Sequence, residues 1–160
     1  MFKLRKIESG NDNALVASKL FDQISFYPAL LNDIKKAKSQ VIIESPFITT
    51  KRMKVILPIF RQLKKKGVQL VINTKPLEEH ESVLYVQAQT AIEELQAIGV
   101  LVLFTAGHHR KLVLIDEHII WEGSLNVLSQ NDSCEFMRRI YSEQLANQML
   151  AFLHLEKFIG

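Results

Sequence analysis

Three short runs of aliphatic and β-branched residues punctuate the middle of the chain: VII at 41–43, VQLVI at 68–72 and VLVLF at 100–104. Each is too short for a helix and reads as a buried strand. Between them lie two stretches with apolar residues at helical spacing. The first opens at Thr49 or Thr50, carries Met53, Ile56, Leu57, Phe60 and Leu63 on one face, and stops at Lys66 before Gly67. Pro58 falls inside it and is expected to kink the helix or delay its start. The second runs over 82–98, with Leu84, Ala88, Ala91, Ile92 and Leu95 in phase and Gly99 as its stop.

The order β-α-β-α-β then changes. Residues 111–115 and 118–121 are two apolar runs separated by Asp116-Glu117, which suits a hairpin. A strand over 134–141 follows. Ser142 caps a closing helix with Leu145, Met149, Phe152, Leu153 and Leu155 apolar. A helix over 28–34, with Pro28 in its first turn, precedes the first strand. The fold class is therefore α/β: a mixed β-sheet sandwiched between helices, in which the hairpin supplies an antiparallel pair. A chain of 160 residues that is 48% hydrophobic fits one domain with a real core. Residues 1–26 are set apart as an N-terminal extension, where Asn11-Asp12-Asn13 could cap a short helix over 14–23. Residues 27–160 form the main domain.

The chemistry concentrates in HRKLVLIDEHIIWEGSLN at 109–126. Residues 111–115, entered from His109-Arg110, suit a buried strand, and alternation then puts His109 and Lys111 side by side on one face and turns His108 to the other. Gly123 lets the backbone approach a ligand closely, and Ser124 and Asn126 bring a hydroxyl and an amide. Singly, each residue has an ordinary structural explanation. Together they make a set suited to phosphate: an imidazole as nucleophile or base, with donors for the charged oxygens.

Composition narrows the classes. Cys134 is the sole cysteine, so no internal disulfide can form. No apolar run reaches the roughly 18 residues of a membrane span. The first residues lack the apolar region of a secretory signal, so a cytoplasmic location is expected. Residues 1–75 carry 15 Lys or Arg against 5 Asp or Glu, and residues 76–160 carry 5 against 12. Basic clusters stand at Lys35, Lys36 and Lys38, at Lys51, Arg52 and Lys54, and at Arg61, Lys64, Lys65 and Lys66. On a common face they would attract a polyanion, which points to nucleic acid.

The spacing His109-x-Lys111, four residues, Asp116, six residues, Gly123-Ser124-x-Asn126 resembles the HKD signature of the phospholipase D superfamily. From about residue 27 to 158 the plan also resembles that superfamily's single-motif bacterial endonucleases. The similar elements include the KKKGVQLVI junction and the AIGVLVLF strand before the motif. The resemblance implies a phospholipase D-like catalytic domain of α/β/α type. It implies His109 as a nucleophile forming a phosphohistidine, with Lys111, Ser124 and Asn126 holding phosphate oxygens. It also implies Glu135 as an acid that hydrogen-bonds the histidine and fixes its tautomer. Asp116 matches the motif aspartate and is expected to organise the local network rather than move protons. No cofactor and no metal are expected, Lys111 and the amide donors taking the part of a cation. Superfamily chemistry uses two histidines and this chain carries one motif copy. A homodimer with a composite active site is therefore expected. Similar domains occur joined to helicases and restriction proteins, which makes a helicase or ATPase a candidate partner. The expected activity is cleavage of nucleic acid, DNA favoured, with little sequence preference. Two alternatives are a non-catalytic nucleic-acid-binding or dimerisation domain, and a lipid phosphodiesterase or phosphatidyltransferase. Against the lipid reading stands the lack of a basic amphipathic helix bearing Trp.

Overall fold

The run at 41–43 forms the centre of a fully buried strand, Gln40–Glu44, in a computed structural model that describes residues 17–129 and 133–159. In chain order the elements are β1 (Ser18–Asp22), α1 (Phe26–Lys35), β2 (Gln40–Glu44), α2 (Thr50–Lys65) and β3 (Gln69–Thr74). They continue with α3 (Ser82–Ala97), β4 (Leu101–Phe104), β5 (Leu112–Ile115), β6 (Ile119–Gly123), β7 (Phe136–Tyr141) and α4 (Glu143–Leu153). One seven-stranded sheet has the order β1-β7-β6-β5-β2-β3-β4. β2, β3 and β4 are parallel, while β5 pairs antiparallel with both β2 and β6. The sheet is thus mixed, and the hairpin β5–β6 is where its direction changes.

Alternation along each strand sends side chains to two cores. Val41, Ile43, Leu70, Ile72, Val113 and Ile115 pack under α1, α2 and α3, together with Met53, Ile56, Phe60, Ala91 and Leu95. Ile42, Val71, Leu112, Leu114, Ile120 and Ile140 face the other way, onto Ala146, Leu150 and Leu153 of α4. Among the described residues the sandwich is therefore unequal: three helices on one face and one on the other. Trp121 is fully buried, with Phe21 at 4.8 Å and Phe26 at 5.5 Å between ring centroids. Its indole N–H donates to Asp33 at 3.0 Å, and Arg139 pairs with the same carboxylate at 2.6 Å. Truncating such a side chain to Ala typically costs about 3–5 kcal/mol.

Several expectations need correction. The helix expected over 14–23 is not there in the described part, because Ser18–Asp22 is an edge strand paired antiparallel with β7. The open edge of β7 supplies partners that a short isolated helix would lack. Asp22 then ends the strand by accepting N–H bonds from Ile24 and Ser25 at 3.1 and 2.8 Å. Asn11, Asp12 and Asn13 lie outside the described residues. Pro58 does not delay α2, which starts at Thr50 and continues through it. Its missing donor would have served the carbonyl of Lys54, and both residues are exposed, so water can take that bond. Thr49 occupies the cap position without a capping hydrogen bond. Ser142, in contrast, does cap α4, accepting from the Leu145 N–H at 3.1 Å. Phe152, expected on the apolar face of that helix, is 74% exposed.

The most consequential difference concerns the connection from β4 to β5. β4 is an edge strand, and β3 and β2 lie between it and β5. Residues 105–111 must therefore cross the carboxyl ends of two strands, about 14 Å at the usual strand spacing. They do so as non-strand backbone, and the ladder begins only at Leu112. His109 and Lys111 are thus not neighbours on a strand.

Candidate active site

The crossing loop is pinned at four points. The Thr105 N–H donates to the Thr74 carbonyl at 2.9 Å. The Gly107 N–H donates to the Glu79 carboxylate at 3.0–3.1 Å. His108 and Arg110 both reach the buried Glu44, the arginine at 2.9 Å. With both neighbouring side chains drawn to Glu44, His109 is left exposed and lines the pocket. The Lys111 ammonium folds back to donate to the His109 carbonyl at 2.8 Å, so the pair expected from alternation is brought together by a loop contact instead.

The opposite wall is the segment after β6. A Cβ on Gly123 would lie 2.3 Å from the Phe136 carbonyl oxygen and 2.8 Å from Met137, so only glycine permits this approach of β6 to β7. The next residue, Ser124, donates its backbone N–H to that same carbonyl at 3.0 Å. Beyond it, the bridge between Ile48 and Leu128 and the bond from the Leu128 N–H to Ser45 Oγ, 3.1 Å, tie this segment to the loop after β2. The result is one open pocket at the carboxyl end of β2, lined by Phe47, His109, Arg110, Lys111, Gly123, Ser124, Asn126, Cys134 and Glu135. Open α/β sheets place ligands in such crevices.

Five of the six expected residues meet there: His109, Lys111, Ser124, Asn126 and Glu135. Partial burial holds the Lys111 ammonium below the usual lysine range, with the nearby Glu135 carboxylate opposing the shift. The Asn126 Oδ1 is buried without a partner among the described residues, so the amide keeps unspent hydrogen-bonding capacity at the pocket wall. Glu135 precedes β7, which starts at Phe136 rather than at Cys134. Its carboxylate accepts from the Ser133 hydroxyl and not from the His109 ring. The sixth residue, Asp116, lies at the other end of β5, about 16 Å from Lys111 at ordinary strand rise. It does not line the pocket. Its carboxylate accepts from the N–H groups of Lys38, Ser39 and Gln40 at 2.8–3.1 Å and so anchors the hairpin turn.

Phe47, Arg110 and Cys134 line the pocket without having been singled out. Lys75 stacks on the Phe47 ring, its ammonium 4.0 Å from the centroid, which adds a cation to the rim. Glu44 and Asn73 were also missed. A signal existed, since each is a polar residue closing an otherwise apolar strand run. The basic clusters do not share one face. Lys51 and Lys54 belong to the start of α2, where Lys54 lines the groove between α2 and α3, while Lys35, Lys36, Lys38, Lys64, Lys65 and Lys66 follow from element direction to the far end of the sheet. Among the described residues no three His, Cys, Asp or Glu side chains gather as a metal site requires. No helix among them is long and apolar enough to cross a membrane.

The mixed sheet, with an imidazole and phosphate-type donors at the carboxyl end of β2, is a phospholipase D-like phosphodiesterase fold. The profile of the family described as cardiolipin synthase, PLD-like domain, matches residues 30–155, and the chain belongs to this phospholipase D-like family. No curated protein sequence matches it. Among solved structures, Nuc from Salmonella typhimurium, a phospholipase D family member, is similar with a TM-score of 0.68 at 17% identity, covering 84% of this chain and 91% of Nuc. NucT from Helicobacter pylori is similar with a TM-score of 0.68 at 16% identity and the same coverages, 84% and 91%. Phosphatidylserine synthase from Haemophilus influenzae gives a TM-score of 0.72 at 13% identity, with 87% of this chain but 36% of that one covered. At these identities the likeness concerns the fold.

Proposed function

We propose that the chain is a nuclease: a phosphodiesterase that cleaves DNA with little sequence preference through a phosphohistidine. The observation that carries this reading is the meeting of His109 with Lys111, Ser124 and Asn126 in one open, positively rimmed pocket. A ring nitrogen of His109 attacks phosphorus while the donors hold the non-bridging oxygens. The P–O bond to one nucleoside breaks, and its oxygen takes a proton. Water then attacks the phosphohistidine, releasing His109 and the phosphorylated end. Lys111 neutralises charge at the phosphate, so activity is expected to survive EDTA. Contacts to phosphates rather than base edges imply little sequence preference and a steep loss of activity with salt.

The proton for the leaving oxygen needs a second acid. His108 faces Glu44 and cannot supply it. A second copy of the chain would bring its own His109, and we place that contact on the apolar surface beside the pocket, where Phe136 is 55% and Phe152 74% exposed.

A lipid phosphodiester is the second reading. It is favoured by the apolar groove of Leu112, Phe136, Met149, Phe152 and Leu153 next to Arg110 and Lys111, which could take an acyl chain. Incubation with plasmid, single-stranded DNA, RNA and a phosphatidyl diester, each with and without EDTA, separates the two. Nicking of DNA in EDTA supports the nuclease; turnover of the lipid alone transfers the function to lipid chemistry.

A further inference from the structure

We propose that Glu44 is a positioning residue for His109, acting through the side chains on either side of it. This inference rests on the phosphodiesterase reading. Glu44 is the last residue of β2 and is fully buried. One carboxylate oxygen, Oε2, receives both the His108 ring nitrogen Nε2 and the Arg110 Nε, the latter at 2.9 Å. The other, Oε1, accepts from Asn73 Nδ2 at 3.1 Å, and Asn73 is itself held by the Thr105 hydroxyl at 3.0 Å. The carboxylate therefore touches the residues immediately before and after the nucleophile and no part of the nucleophile itself.

The mechanical consequence is specific. Residues 105–111 cross strand ends without a ladder to define their backbone. Two side chains drawn to one oxygen fix the backbone at 108 and 110, and the residue between them has to point away, into the pocket. Burial alone would raise the Glu44 carboxyl, but bonds from His108, Arg110 and Asn73 outweigh it and hold it below the usual glutamate range. An ionised Glu44 makes the His108 Nε2 the donor, and the His108 Nδ1 is buried without a partner among the described residues. The anchor thus uses a guanidinium and an imidazole ring to satisfy one buried carboxylate, as a buried charge requires.

The test compares Glu44→Gln and Arg110→Gln with the unaltered chain. Arg110 has a side chain 44% exposed, so its substitution loosens one tether without stranding a buried cation. Turnover of bis(p-nitrophenyl) phosphate is measured alongside the side-chain 15N–1H signals of the histidines. Expected results are a kcat lower by about 10–100-fold with KM within about twofold, and broadened or split His109 ring signals while those of His118 and His154 stay sharp. If Glu44→Gln fails to fold, Arg110→Gln decides alone. Folded variants with unchanged kcat and unchanged His109 signals would overturn the assignment. If the unaltered chain turns over no phosphodiester, the functional reading fails separately. The ring signals then still decide whether Glu44 orients His109.

Discussion

Asp116 and Ser39 stand 77 residues apart in the chain and are joined by two hydrogen bonds, the Ser39 N–H and hydroxyl reaching the same Asp116 oxygen at 2.8 and 2.9 Å. The motif aspartate thereby ties the β5–β6 turn to the entrance of β2, at the end of the sheet away from the pocket. Both turn residues, Asp116 and Glu117, have positive φ, 50° and 59°, as a type I′ hairpin demands.

Replacing Asp116 by Ala is therefore expected to cost stability rather than chemistry. Hydrogen bonds to charged groups contribute about 1.5–3 kcal/mol each net of solvent, and the donors freed at this partly exposed turn regain water, so a loss on the order of 2–3 kcal/mol is expected in urea titration. Well below its melting temperature the variant should keep kcat within a few-fold. Loss of activity at undiminished stability would return Asp116 to the catalytic set.

Acid should unfold the protein through two carboxylates. Burial opposes ionisation of Asp116, but bonds from Ser39, Gln40 and Lys38 prevail and hold its carboxyl low; Glu44 behaves alike. A carboxyl lowered on folding contributes its full stability above the unfolded value of about 4 and loses it as pH falls through the lower folded value. Stability should thus fall steeply below about pH 4, and Asp116→Asn should flatten that slope. Equal slopes for both proteins would contradict the assignment.

Gly123→Ala should perturb both fold and pocket. The added Cβ meets backbone at 2.3 Å, which no rotamer change relieves. β6 and β7 must separate, at a cost of about 1–3 kcal/mol, and Ser124 moves with them. A melting curve and an activity measurement should fall together.

His109→Ala should remove turnover and leave the fold intact. The ring is exposed and makes no hydrogen bond among the described residues, so stability should change by no more than about 0.5 kcal/mol. Cleavage by a folded H109A protein would rule out the nucleophile.

Phe152→Glu tests the second copy. An exposed phenylalanine replaced by a charge should not destabilise the monomer, but it should break an apolar contact beside the pocket. The expected outcome is a shift to monomer in gel filtration with loss of turnover. A monomeric variant of full activity would exclude the composite site.

Local pattern made much of this molecule legible. All five residues assigned to the apolar face of α2, from Met53 to Leu63, are buried, because a 3.6-residue period and a single core face determine burial without reference to the rest of the chain. The three strand runs, the hairpin and the Ser142 cap followed from equally local rules. Partners distant in sequence were not legible. Ser18–Asp22 is a strand only because β7 offers it an open edge. Asp116 serves the α1–β2 junction, and Glu44 grips the loop around His109 across 64 and 66 residues. The motif's spacing named the candidate side chains; where each one points was decided by strand order, which makes residues 105–111 cross the sheet and meet a buried carboxylate on the way.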